Sequence, residues 1–470
     1  MNAQPPKPRV GVLALTLELY EQLAPGLREG RENWLRQTVL PALAPVADVC
    51  LAGAAYRREA IDALVADYEA SGVDALLVVC LTYSPSQAAL PALRRTRLPV
   101  LLWNTQELWA VDSSFNGDKM VENHGVHGTQ DLANVLLRSG VPFHYVTSHL
   151  RDDGAVSQLE DFFRAASTAA GLRRCRLGLL GYPFPGMGDF AVDTTHLAST
   201  LGCTWQSLSV EEYNERAAGA APAEVEQLKS VYRQSYALAE DLTEADLDAT
   251  ARAEFSLRAM VADHRLDALS YQFLAFGEDQ RTATLPFVAM SRMMADGVGF
   301  AGEGDLVGAA GTWLLNRLCP PASFNEIFTI DFQGNGLFVS HMGEANVAMA
   351  RKDCEVPLVA RPQPITRTRC RQLALVTAFA PGPATLCAVA LGPENRWRLI
   401  ASQVDIVDFG PLPGLPVPHG KMTTRIDVRD WLTAYAQAGG PHHHALCWGD
   451  ARPRLKTLAR LLDADYCEVG

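Results

Sequence analysis

The chain has no Cys-x-x-Cys pair, no Gly-x-Gly-x-x-Gly after its first apolar run and no Walker-type phosphate loop. Zinc ribbons, thioredoxin-like redox motifs, Rossmann nucleotide loops and P-loops are therefore not expected. No apolar run reaches the roughly 18 residues of a membrane span. Positive charge is in deficit: 41 Lys+Arg stand against 53 Asp+Glu, a net charge of -12. That balance disfavours nucleic acid or an anionic membrane as partner, because both reward clustered cations. A small anionic ligand needs only one or two placed arginines. Residues 1–9 carry no long apolar stretch behind a basic region, so no signal peptide is expected. The ten cysteines sit mostly in apolar runs such as 77–80, where a free thiol acts as a small core hydrophobe. A reducing cytoplasm is the expected compartment.

With 48% hydrophobic and 20% charged residues the composition is globular, and 470 residues make room for about three domains. Short apolar runs at 9–15, 48–53, 75–81, 99–104 and 143–148 alternate with periodic segments at 19–43, 57–71 and 127–138. This pattern predicts a doubly wound parallel α/β domain over 1–170, flavodoxin-like, with ligands at the carboxyl ends of its strands. A second α/β unit is expected over 171–320. It has strands at 176–181 and 266–272, and helices at 192–200, 221–242, 246–262, 285–295 and 305–317. From 321 to 470 the reading changes to a β-rich, barrel-like domain, with strands at 326–332, 337–341, 373–379, 386–391 and 398–407 and late helices at 428–438 and 452–462. The segment 181–188 reads as a tight turn, its prolines and spacing not suiting a nucleotide loop.

Four places carry chemistry. Glu303 lies in Gly299-Phe300-Ala301-Gly302-Glu303-Gly304-Asp305, where small neighbours let another group approach it. The plain alternative makes Asp305 a helix N-cap and Glu303 a solvated turn residue. Glu326 sits in an otherwise apolar run, where a carboxylate is costly unless a cation compensates it. His341 follows an apolar strand. His442, His443 and His444 follow a Gly-Gly-Pro turn and make up three of only 11 histidines. Two carboxylates and two imidazoles suit a divalent ion, and the mixed oxygen and nitrogen set favours Mn²⁺ over structural zinc.

These motifs, with Ser323-Phe324-Asn325-Glu326, Ser340-His341-Met342 and Gly439-Gly440-Pro441-His442-His443, resemble those of L-arabinose isomerases, within the wider L-fucose/L-arabinose isomerase group. Ser84-Pro85, Thr105-Gln106 and Val126-His127-Gly128 match more weakly. The resemblance implies two α/β domains and a β-rich C-terminal domain. It implies metal ligands Glu303, Glu326, His341 and His443, with Glu303 and Glu326 also the proton-transferring pair. It puts His442, His124, Leu17, Phe276 and Met187 beside the sugar, and His127 from a neighbouring subunit of a homotrimer or homohexamer. The expected activity is Mn²⁺-dependent aldose–ketose isomerisation through an enediol. An epimerase using the same metal site and a non-catalytic sugar sensor are the alternatives. The chain departs from the pattern at Leu17 and His124, where glutamines are usual, and at Phe328, where tyrosine is usual. The metal set thus survives while sugar-facing positions change, which makes the isomerisation a firmer expectation than arabinose as substrate.

Overall fold

The computed structural model describes residues 5–277, 280–362 and 364–470. The chain divides into two compact units, Pro6–Ala170 and, chiefly, Gly171–Gly470. In the first, continuous apolar runs become central strands because helices cover both faces of the sheet. Its order is Asp48–Cys50, Arg9–Leu15, Ala75–Cys80, Val100–Asn104 and His144–Thr147, all parallel, with Ala54–Ala55 also pairing with Arg9–Leu15. The strand order reverses between Arg9–Leu15 and Ala75–Cys80. The periodic segment expected as one helix over 19–43 is interrupted at Gly26, whose φ of +88° no continuing helix accepts. Helices Tyr20–Leu23 and Leu27–Trp34 flank it, and a π-turn, Leu35–Val39, precedes Leu40–Leu43.

The second unit opens with a four-stranded parallel sheet, ordered Gly299–Gly302, Ala268–Tyr271, Arg176–Leu180, Thr204–Leu208. Thr204–Leu208 escaped the sequence reading because it is a polar edge strand without an apolar run. The helix expected over 221–242 ends at Ser235, and Ala237–Leu238 instead pairs with Pro357–Ala360. Leu373–Leu375 joins that small sheet. The segment 373–379 is therefore not a strand of the barrel as expected.

The barrel itself is closed and antiparallel. Going round, its strands are Gly382–Leu391, His443–Trp448, Ala322–Asp331, Gly336–Ser340, His419–Thr424 and Trp397–Ile406, which pairs back to Gly382–Leu391. Closure removes the exposed edges that open antiparallel sheets must protect. Asp465–Glu468 adds in parallel outside Trp397–Ile406. Leu337, Val339, Leu386, Ile400, Val404, Met422 and Leu446 fill the barrel core, and the helix Val428–Gln437 adds Val428 and Trp431 to it. No helix among the described residues is long and apolar enough to cross a membrane.

The junction that matters for function follows Gly299–Gly302. A Cβ on Gly299 would fall 2.5 Å from Ala309 O and Trp313 Cβ, so helix Leu306–Leu318 packs directly onto this strand. The chain turns between them through two left-handed residues, Glu303 (φ +63°) and Gly304 (φ +81°). A Cβ on Gly304 would lie 2.6 Å from Tyr182 O and Pro183 Cα. Gly304→Ala is expected to lose at least about 1–2 kcal/mol in chemical denaturation, from the left-handed backbone alone. Unchanged stability would mean that the turn is not held as described.

Candidate metal centre and active site

Glu303 is carried by the turn after Gly302, and left-handed backbone at a residue with a side chain is strained and marks it as over-determined by its surroundings. Its backbone oxygen accepts from Phe184 N–H at 2.8 Å. Glu326 and His443 stand directly opposite each other on adjacent antiparallel barrel strands. Cross-strand partners put their side chains on one face. The two elements thus bring Glu303 and Glu326 onto one imidazole: His443 Nε2 lies 3.2 Å from Glu303 Oε2 and 3.0 Å from Glu326 Oε1. His442 Nε2 stands 3.7 Å and 3.9 Å from the same two oxygens. One ligand atom from each of Glu303, Glu326, His442 and His443 falls within 4.8 Å of all the others.

Three histidines at this place have Nδ1 held by a carboxylate. His443 Nδ1 donates to Asp305 Oδ2 at 2.9 Å, His442 Nδ1 to Asp189 Oδ2 at 2.5 Å, and His341 Nδ1 to Glu344 Oε2 at 2.6 Å. Such an outer partner sets the tautomer and leaves Nε2 as a lone pair. With the imidazoles neutral, the inner groups are all acceptors. Glu303 Oε2 and His443 Nε2 are buried without an aligned hydrogen bond despite their proximity. A single proton cannot serve two carboxylates and two imidazoles, whereas a divalent cation with oxygen and nitrogen ligands can. The donor set fits such an ion.

The electrostatics agree. Burial pushes Glu303 upward, but His442 and His443 outweigh it and hold its carboxyl well below the usual range. Glu326 is likewise lowered, by His443 and by the field of His341, against burial. Burial alone would lower His443, yet Asp305, Glu303 and Glu326 raise it well above an ordinary imidazole.

Of the four residues expected as ligands, Glu303, Glu326 and His443 belong to the tight group, and His442 completes it. His341 lies outside it. The ring of Phe324 stands edge-on against both His341 (4.7 Å between centroids) and His443 (4.9 Å). His341 lines a cavity of about 110 Å³ together with Glu303, Tyr271 and Met342. His444 points the other way, to the Leu446 face of its strand, and burial pushes it down to about 4. Phe276 is fully buried, edge-on to Tyr213 and Tyr271. Met187 is half-buried in the turn that carries Asp189. Leu17, His124 and His127 belong to the N-terminal unit. There His124 Nδ1 donates to Val121 O, its Nε2 accepts from Tyr20 at 2.7 Å, and His127 is exposed.

The sequence reading missed Asp189, Glu344 and Tyr271, whose hydroxyl donates to Glu344 Oε1. It took Asp305 as an N-cap alone. Asp305 caps through Oδ1, accepting from Gly308 N–H at 2.8 Å, and holds His443 through Oδ2. A carboxylate in a glycine turn at a strand end was the available signal for both aspartates. Asp305→Ser retains a capping hydroxyl and removes the imidazole's partner. Its Mn²⁺ affinity, by calorimetry, is expected to fall about 10–100-fold. Because the helix keeps a cap, the loss in unfolding free energy is expected to be that of leaving the buried imidazole unpaired, about 1–3 kcal/mol. Unchanged affinity would remove Asp305 from the centre.

Residues 191–318 match the L-arabinose isomerase central domain and residues 321–465 the L-arabinose isomerase C-terminal domain. An L-arabinose isomerase of Acidothermus cellulolyticus is 31% identical over 416 residues, 84% of this chain and 80% of that one. One from a Nocardioides species is 30% identical over 435 residues, 88% and 83% of the two chains. One from Mycolicibacterium smegmatis is 28% identical over 406 residues, 83% and 78%. With two domain matches in order and identity at this level over most of both lengths, the chain belongs to the L-arabinose isomerase family.

Proposed function

We propose that this chain is a metal-dependent aldose–ketose isomerase that acts on an aldose through an enediol, with Mn²⁺ or a similar divalent ion. Family membership supports the reaction class. The observation that carries the metal is the meeting of Glu303 Oε2, Glu326 Oε1 and His443 Nε2, acceptors with no aligned donor between them. Glu303, Glu326, His443 and His442 or His341 would hold the ion, which when bound would polarise the sugar oxygens at C1 and C2 and stabilise charge developing on them.

The chain's own groups account for the rest. Isomerisation takes a proton from C2 and returns one at C1, while the hydroxyl proton passes from O2 to O1. The depressed pKa values of Glu303 and Glu326 keep both carboxylates ionised and able to accept that proton at neutral pH. Asp305 and Glu344 hold imidazole orientation, so the site needs little rearrangement on binding. Phe190 stacks on His443, its ring plane 4° from the imidazole's, and Phe324 closes another side, walls that exclude water. We place the enzyme in the cytoplasm, as a homotrimer or homohexamer in which His127 of one subunit serves a neighbour's site. Exposed His127 and the exposed apolar side chains Trp109, Val111 and Met120 of the N-terminal unit support that assembly.

Glu303→Gln and Glu326→Gln are each expected to lower kcat by about 10²–10⁴-fold across a panel of aldoses. Chelation should abolish turnover and Mn²⁺ restore it. Product analysis by NMR in deuterated water separates the readings. A ketose with deuterium at C1 supports isomerisation, a stereoisomeric aldose as sole product supports epimerisation, and binding without turnover supports a sensor.

The pH dependence has a defined sign. A bound metal displaces the proton that Asp305, Glu303 and Glu326 hold on His443, so apparent affinity should fall about tenfold per pH unit below that raised pKa. In metal-free protein the same proton stabilises the fold fully below about pH 6.5, and that contribution is lost as pH rises through the raised value. Calorimetric titration of Mn²⁺ between pH 6 and 8, showing flat affinity, would overturn this assignment.

A further inference from the structure

Arg361 lies beside this centre, and the proposed chemistry leaves its charge unused. Its Nε and Nη1 are buried and have no hydrogen-bond partner among the described residues. The guanidinium lies over the ring of Phe287, 5.7 Å from its centroid. Glu344 is the acidic group whose field reaches it, but both Glu344 oxygens are already engaged, by Tyr271 and by His341. A half-buried guanidinium without an acceptor is costly, and an anion is the group that relieves it.

The position is that of a substrate contact. Arg361 lines a groove of about 240 Å³ with Phe328, Phe338, Ser340, Met342 and Leu415. Ser340 stands directly opposite Glu326 in the barrel register, so the groove shares the face that carries the metal group. Met342 lines both this groove and the cavity that holds Glu303 and His341, and Phe287 beneath Arg361 lines that cavity too. The guanidinium therefore stands in a groove adjoining the cavity that Glu303 and His341 line. Its planar fork of N–H donors matches a carboxylate or a phosphate.

We propose that Arg361 binds an anionic group, carboxylate or phosphate, carried by the sugar at the end away from C1 and C2. This rests on the isomerase reading and names its substrate class.

The test compares kcat/KM of the Mn²⁺-loaded enzyme for neutral aldoses (L-arabinose, D-galactose), uronates (D-galacturonate, D-glucuronate) and phosphates (D-ribose 5-phosphate, D-glucose 6-phosphate). One anionic class should be preferred about tenfold or more over the neutral sugars. Which class wins identifies the anion. In Arg361→Gln that ratio should collapse at least tenfold through KM, and Arg361→Lys, which keeps the charge, should recover part of it. Neutral sugars turned over as well as both anionic classes would overturn the proposal and leave the isomerase standing. So would an anionic preference that Arg361→Gln leaves intact. If no sugar in the panel is turned over, the isomerase reading fails instead. Calorimetric binding of D-galacturonate and D-ribose 5-phosphate to wild type and Arg361→Gln then decides the anion site by itself, and equal binding to both proteins overturns it.

Discussion

The bond from His443 Nδ1 to Asp305 Oδ2 ties together parts of the molecule that lie 138 residues apart. Asp305 begins the helix that packs on the last strand of the parallel sheet, and His443 begins a strand of the barrel. One carboxylate caps the start of the helix, satisfying an N–H that would otherwise be orphaned, and fixes the imidazole of the opposing element. Without it the lone pair of His443 Nε2 would not be bound to face Glu303 and Glu326.

The centre is built by the same device three times. Asp189, Asp305 and Glu344 each accept from an Nδ1, and each comes from a different turn. Buried carboxylates are expensive unless paired, so Asp305 and Glu344 are held by imidazoles on their outer side, while Asp189 makes the same contact at the exposed edge. The inner carboxylates, Glu303 and Glu326, are different. They face acceptors, and only a cation or a proton relieves them. The acidic surplus of the chain is mostly surface, but in this cluster two carboxylates are brought onto two imidazoles. Arg361 supplies the opposite charge at the groove beside it.

Much of this was legible in the residues. Continuous apolar runs marked the parallel strands, because strands covered on both faces need apolar side chains throughout. The glycines around Glu303 and the apolar run around Glu326 singled out two carboxylates from 53, since one was given room and the other was placed where charge is costly. The strands His419–Thr424 and His443–Trp448 were not legible. Their polar and histidine-rich starts hide the alternation, and their pairing is long-range: His443 finds Glu326 across more than a hundred residues. Leu373–Leu375 showed the converse error. An apolar run announces a strand but not the sheet that receives it.

The residues themselves thus settled the fold class, the two glutamates and the presence of imidazoles, all properties written in composition, spacing and neighbours. Folding alone settled which imidazole meets which carboxylate. Local sequence specified Asp305 as a cap, whereas its second oxygen acquired a partner only when the barrel strand arrived. The same holds for His341, kept outside the tight group with Phe324 against its ring, and for Arg361, whose lack of a partner among the described residues is a fact of three dimensions. Ionisable side chains take their roles from what lies within a few ångströms, and for these residues nearly all of it comes from elsewhere in the chain.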